Sequence, residues 1–394
     1  MSITSDADLL AQLVSFDTTS NKPNTSLIDL ARNLLQSAGC ETLQMTDPSG
    51  GKHNLLARRG PDVDGGLLLC GHVDCVPAGE PGWESDPFTL TRRDGRLIGR
   101  GAVDMKAFVA LALRRMCEAR PENLCRPLFL LLTHDEELGS LGAARFAREW
   151  RELGIPWRLP RDVIVGEPTG LRVVRMHKGH LKLRIDVRGR AAHSGYPHLG
   201  ENAIERAGHV VVALARVASD WRSERIANAE HFPECPHPVL NVATIHGGSA
   251  VNIVPERCVM ELGIRLLPGQ QSETAIAEVR AAISTLPSPI RAAAVIELIG
   301  DNPPMLCDSS ANVNRVLSRM LGQTETVGVS YASDAGWLTT IGLNCVLWGP
   351  GSIENAHQAN EFIAVEQFES GGHWLDRIIE QFCVSEQQEG GLPG

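Results

Sequence analysis

Aromatic residues make up only 5% of this 394-residue chain, and just two of them are tyrosines. Its cores must therefore be built mainly from aliphatic side chains. A basic excess is also missing: 47 Asp and Glu against 37 Lys and Arg leave a formal net charge of −10. Nucleic acids and anionic membranes both attract proteins through a basic field, so the balance argues against either as a partner. No apolar run reaches the length a bilayer demands; GGLLLCGHV and PLFLLLTH are strand-length. The start, MSITSDADLLAQLV, lacks the basic cap and apolar stretch of a signal peptide. The ten cysteines are scattered, with no C-x-x-C pair. In a chain this long they read as reduced core thiols, and the cytoplasm is the expected compartment. Cys70 and Cys75 flank a histidine, but the pattern around Cys70 places it inside a strand.

What is present is an ordinary globular mixture, 43% hydrophobic and 21% charged, long enough for two domains with separate cores. Residues 5–39 read as helix, loop, helix. Strand patterns follow at HNLLARR, GGLLLCGHV and around RLIGRG, then a helix from Met105 to Ala119. PLFLLLTH and DVIVGEP are continuous apolar runs, as strands buried on both faces require. Residues 139–150 read as helix. Strands alternating with helices imply an α/β domain with a mostly parallel sheet flanked by helices. From His180 the pattern changes, because HLKLRIDVRG alternates apolar and polar residues. Helices at 202–218 and 271–284 and strands at VLNVATIHGG, RCVMELGIRLL and AAVIELIG complete a compact α+β unit. After it the first pattern resumes, with a helix around 310–321, a strand at NCVLWG and a long last helix from about Gln367. The reading is one domain, residues 1–179 and 296–394, interrupted by another at 180–295. The tail EQQEGGLPG reads as disordered.

Acids and histidines recur where buried strands end. His72 and Asp74 close an apolar strand in GHVDCVP; side chains two apart on a strand share a face. One can bind a metal while the other orients it. Glu136 and Glu137 follow PLFLLLTH, and adjacent residues point different ways, so one can bind metal while the other takes a proton from water. The competing reading is acidic decoration of a helix start. Asp104 in GRGAVDMK could bridge two cations, although by itself it reads as a helix N-cap. Glu167 in VIVGEPTG repeats the strand, turn and acid, and His357 follows a strand and a glycine loop. The tips of successive strands in an open α/β sheet form its ligand-binding edge. Two histidines and several carboxylates there suit zinc or a similar first-row metal better than calcium or magnesium.

The motifs GHVDCVP, GRGAVDMKAF, HDEELGS, VGEPT and AHQANEF, in this order, resemble the co-catalytic zinc metallo-amidohydrolases. That family includes acetylornithine deacetylase, succinyl-diaminopimelate desuccinylase, aminoacylase and carboxypeptidase G. HKGH, TIHGGSAVNIV, IRLLPG and GPGSIENAH are most similar to the first of these. The resemblance implies a catalytic domain interrupted by a lid and dimerisation domain, and so a homodimer. It implies two divalent ions, zinc foremost with cobalt or manganese as alternatives. His72 and Glu167 would bind one and Glu137 and His357 the other, with Asp104 between them and a cis peptide after it. Asp74 would orient His72, and Glu136 would be the general base. His193, Asn252 and Arg265 would contact the substrate, an N-acyl amino acid with N-acetylornithine first. The alternative is a dipeptide, a carboxypeptidase substrate or another N-acyl amino acid. The stretch SYASDAGWL, with Asp334 and Trp337, is expected to line the side-chain pocket.

Overall fold

The runs of leucine and valine become the middle strands of a six-stranded sheet. The computed structural model describes residues 5–152 and 154–384, so the tail EQQEGGLPG lies outside the described residues. Among the described residues the chain forms two compact units. One takes in the residues up to Arg175, Cys307–Thr326 and those from Ser333 on; the other is Met176–Leu306 with Val327–Ala332.

In the first unit the strand order is Glu41–Thr46, His53–Arg59, Leu128–Thr133, Leu67–His72, Asp162–Val165 and Asn344–Leu347. The last four run parallel, while His53–Arg59 is antiparallel to both its neighbours. Leu67–His72 and Leu128–Thr133 are buried at every position, which is why their sequences show no polar alternation. The register brings the strand ends level: His72 pairs with Thr133, Cys70 with Val165 and Val165 with Leu347. Four chain segments therefore leave the sheet at one edge. Helix Ala107–Glu118 packs on the two central strands and buries eight of its residues. It begins two residues later than the sequence suggests, because Asp104 and Met105 depart from helical backbone and the peptide between them is cis. Cys70 is fully buried within its strand, as expected, and burial pushes its thiol well above the usual range; Cys75 is pushed up to about 11.

The second unit is a four-stranded antiparallel sheet in the order Val239–Gly247, Arg257–Arg265, His180–Arg188, Ala294–Asn302. Alternate residues of His180–Arg188 are buried. Leu181, Leu183, Ile185 and Val187 join one apolar cluster with helices Ala203–Ser223 and Ser272–Ser284. Asn202 caps the longer helix, its Oδ1 accepting from the N–H groups of Ile204 and Glu205. That helix continues five residues past the expected end, because Trp221 keeps to the buried side.

The boundaries differ from those expected at 179/180 and 295/296. Val295 lies near the start of a strand that stays paired with His180–Arg188 as far as Asn302, across an irregularity between Leu298 and Gly300. Met176–His177 pairs with both Met305–Leu306 and Gly328–Val329, drawing all three segments into the second unit.

Candidate active site

Of the acids and histidines singled out in the first unit, Glu137, Glu167 and His357 follow the aligned strand ends, and Asp104 lies between the short strand Arg96–Ile98 and helix Ala107–Glu118. His72 ends its strand and is 1% exposed. Its Nε2 lies 3.1 Å from Asp104 Oδ1, and its Nδ1 lies 3.1 Å from the Asp74 carbonyl. Asp104 stands just after Gly101, whose φ of 75° permits the turn that no L side chain adopts cheaply. Its second oxygen is 3.2 Å from His357 Nε2, and His357 Nε2 is 2.9 Å from Glu137 Oε1. His72, Asp104, Glu137 and His357 thus form one contact chain, drawn from a strand end and three loops. Among the described residues, His72, Asp104 and Glu137 present ligand atoms within 4.8 Å of one another, a spacing that could hold a metal ion.

Asp74 does more than its expected role. Its Oδ1 accepts from the N–H of Glu136 (3.1 Å), and its Oδ2 accepts from the N–H of Glu137 (3.2 Å) and from Ser20 Oγ (2.8 Å). One buried carboxylate therefore shapes the acidic turn and also sits 3.5 Å from His72 Nδ1. Glu167 is brought to the same edge by Gly166. A Cβ on Gly166 would come within 1.9 Å of the Phe108 ring, so only glycine lets the strand end pass that ring.

The electrostatics are those of a cation trap. Burial raises Glu136 and Glu167 well above the usual carboxylate range, and neighbouring carboxylates add to the rise. Burial also raises Glu137, reinforced by Asp104. His357 is pushed up to about 10, chiefly by its bonds to Asp104 and Glu137. Burial alone would lower His72, yet Asp104 and Asp74 outweigh it and hold the imidazole well above its usual value. Burial would raise Asp104 and Asp74, but their histidine partners hold both low. Glu167 Oε1 is buried with no hydrogen-bond partner, a costly state for a carboxylate that a coordinated cation would relieve. Two imidazoles with three carboxylates suit a first-row divalent metal. The residues fit the group that the resemblance implies.

Ser20, Thr133 and Ser140 also belong to the site's surroundings, and the motifs gave them no such place. Ser140 Oγ donates to Glu136 Oε1 at 3.2 Å, an i, i+4 spacing visible in HDEELGS. Asp334 is 1% exposed and accepts from Thr133 Oγ1 at 2.5 Å. Trp337 lies under the Arg148 guanidinium, 4.6 Å from ring centroid to Cζ. The expectation that Asp334 and Trp337 line a side-chain pocket is therefore corrected. Asp334 is enclosed at a strand tip, and Trp337 packs on helix Leu141–Glu149.

His193, Asn252 and Arg265 belong to the second unit. His193 is exposed, and its Nδ1 accepts from the N–H of Gly195 at 3.0 Å. This leaves the proton of a neutral ring on Nε2. The Ser194 N–H donates to the Asn252 carbonyl at 3.0 Å, and His193 pairs with Ile253, so these two candidates adjoin. Arg265 ends a different strand.

Comparison with known proteins gives the family. The model of peptidase family M20/M25/M40 matches residues 68–381. The chain is 36% identical to an acetylornithine deacetylase of Myxococcus xanthus, covering 95% of this chain and 96% of that one. It is 35% identical to one of Proteus mirabilis, covering 94% and 93%. Its fold is similar to an M20 family metallo-carboxypeptidase from Sulfolobus solfataricus, with a TM-score of 0.77 and 17% identity over 96% and 99% of the two chains. The chain belongs to peptidase family M20/M25/M40 and is a metal-dependent amidohydrolase.

Proposed function

We propose that this enzyme hydrolyses the amide bond of an N-acyl amino acid, N-acetylornithine first, releasing acetate and ornithine. The mutual contact of His72, Asp104, Glu137 and His357 carries the reading. The identity of 35–36% to acetylornithine deacetylases over nearly the whole chain supports the substrate. His72 and Glu167 would hold one divalent ion, Glu137 and His357 a second, and Asp104 would serve both. Zinc is the favoured metal, with cobalt or manganese as alternatives. Such ions, when bound, supply Lewis-acid polarisation and neutralise developing negative charge.

The chain's own residues then divide the work. Glu136, its carboxyl raised above the usual carboxylate range by burial, would take a proton from the attacking water and return it to the departing amine. Ser140 Oγ and the grip of Asp74 on the Glu136 N–H orient that carboxyl. His193, protonated on Nε2, would donate to the oxyanion that forms at the scissile carbonyl. Asn252 would contact the substrate, and Arg265 would hold its α-carboxylate through a planar bidentate donor pair. The second unit would also pair two copies of the chain, because Val239–Gly247 is an edge strand and largely exposed. No helix among the described residues is long and apolar enough to cross a membrane.

The test is a substrate panel with metal-reconstituted enzyme: N-acetylornithine, other N-acetyl amino acids, N-succinyl-diaminopimelate and dipeptides. N-acetylornithine should give the highest kcat/KM. Faster cleavage of dipeptides would overturn the deacylase reading.

A further inference from the structure

The loops that carry Asp104 and His357 share one buried ion pair. Arg100 and Glu361 are each 1% exposed. Arg100 Nη1 donates to Glu361 Oε2 at 2.7 Å and to the Gln358 carbonyl at 3.4 Å. Its Nη2 donates to the Pro77 carbonyl at 3.1 Å and to Glu80. The other carboxylate oxygen, Glu361 Oε1, accepts from two successive backbone N–H groups, those of Val103 (3.1 Å) and Asp104 (3.2 Å). The backbones are joined as well: the Gly99 N–H donates to the Glu361 carbonyl at 2.9 Å, and Phe362–Ala364 pairs with Arg96–Ile98.

We propose that Arg100 and Glu361 are positioning residues that set the distance between Asp104 and His357 and so the affinity of the metal site they share. Arg100 grips the carbonyl one residue beyond His357, while Glu361 grips the N–H of Asp104 itself. The pair therefore ties the two loops whose side chains meet at 3.2 Å. Stability alone is a poor account of it, since replacing a buried ion pair with hydrocarbon is often neutral or favourable. Hydrocarbon cannot accept two adjacent N–H groups on one loop and donate to a carbonyl on the other. The inference rests on reading Asp104 and His357 as metal ligands.

The experiment titrates metal-free protein with zinc chloride by calorimetry below the unfolding transition, with the Tm of each metal-free variant measured alongside. Glu361→Gln keeps the volume but turns an amide donor toward either Arg100 or the Val103 and Asp104 N–H groups. It should weaken zinc binding by about 10–100-fold, the usual effect of losing a group that orients ligands. Glu361→Asp and Arg100→Lys keep the charges and should recover part of the loss. Arg100→Lys carries the comparison by itself if Glu361→Gln does not fold. Leu317→Ala is the stability control, in a helix (Asn312–Leu321) whose first turn is held by Asp162, at the start of its strand and away from Glu167. It should lower Tm yet bind zinc like the parent. Parent-like affinity in Glu361→Gln and Arg100→Lys, or equal weakening in Leu317→Ala, overturns the positioning role alone. A parent that binds no zinc overturns both this inference and the metal reading beneath it.

Discussion

Replacing Asp74 by Asn tests how the acidic turn is held. The carboxylate accepts three hydrogen bonds, from the N–H groups of Glu136 and Glu137 and from Ser20 Oγ. An asparagine has the same shape but only one accepting oxygen, so in either rotamer its amide donor faces one of the two backbone N–H groups. The Ser20 hydroxyl can rotate to accept instead; a backbone N–H cannot. Leaving that buried donor unsatisfied costs about 1–3 kcal/mol. The remaining bonds also lose their charge assistance, which roughly halves their strength. The expected total is about 3 kcal/mol, read as a lower urea midpoint for the metal-free protein. Because the turn carries both Glu136 and Glu137, kcat with saturating zinc should fall as well. Ser20→Ala removes one bond whose loss strands no backbone group, and should cost about 1 kcal/mol. Should Asp74→Asn unfold within about 0.5 kcal/mol of the parent, the scale of an ordinary surface substitution, and turn over normally, the carboxylate is not what holds the turn.

Glu136→Ala should retain both metals by elemental analysis yet lose about 10²–10⁴-fold in kcat, the span typical of general acid–base catalysis; normal kcat would remove it as the base. His193→Ala should lower kcat by about 10²–10³-fold, as loss of an oxyanion donor does, with the molar mass in light scattering unchanged; unaltered kinetics would remove His193 from the site. His177 is fully buried and pushed down to about 4, by burial first and by Arg265 as well. Between its ordinary 6.5 and about 4 the unfolded chain binds a proton that the folded chain refuses. Stability should therefore fall as pH drops through that window, by up to about 3 kcal/mol. His177→Asn, which can keep the donor to the Lys178 carbonyl, should flatten this acid slope in urea denaturation; an identical slope would refute the assignment.

Residues close together along the chain were the legible part. An apolar run with no polar alternation, followed by a histidine or an acid, marked His72, Glu137 and Glu167 at or just beyond strand ends, because burial on both faces leaves a one-dimensional trace. The α+β insertion was legible for the same reason, its period switching between two and 3.6. Ser20 meeting Asp74, Thr133 meeting Asp334 and Arg100 meeting Glu361 left no such trace. Their hydrogen bonds join positions 54, 201 and 261 residues apart, and a single polar residue in a loop looks the same whether or not it has a distant partner. Trp337 misled for a related reason, since the family resemblance of SYASDAGWL carries no record of what its side chain packs against.

Periodicity and motif order determined the main buried strands, which acids and histidines stand near their ends and which family the chain joins, since each depends on local pattern. Tertiary structure alone decided the strand order that aligns four chain ends and the end of the inserted unit beyond Val295. It also decided the pairing of distant polar groups that hold the acidic turn. Those outcomes depend on three-dimensional register, and a hydrogen bond between remote loops is specified only once the sheet has brought them together.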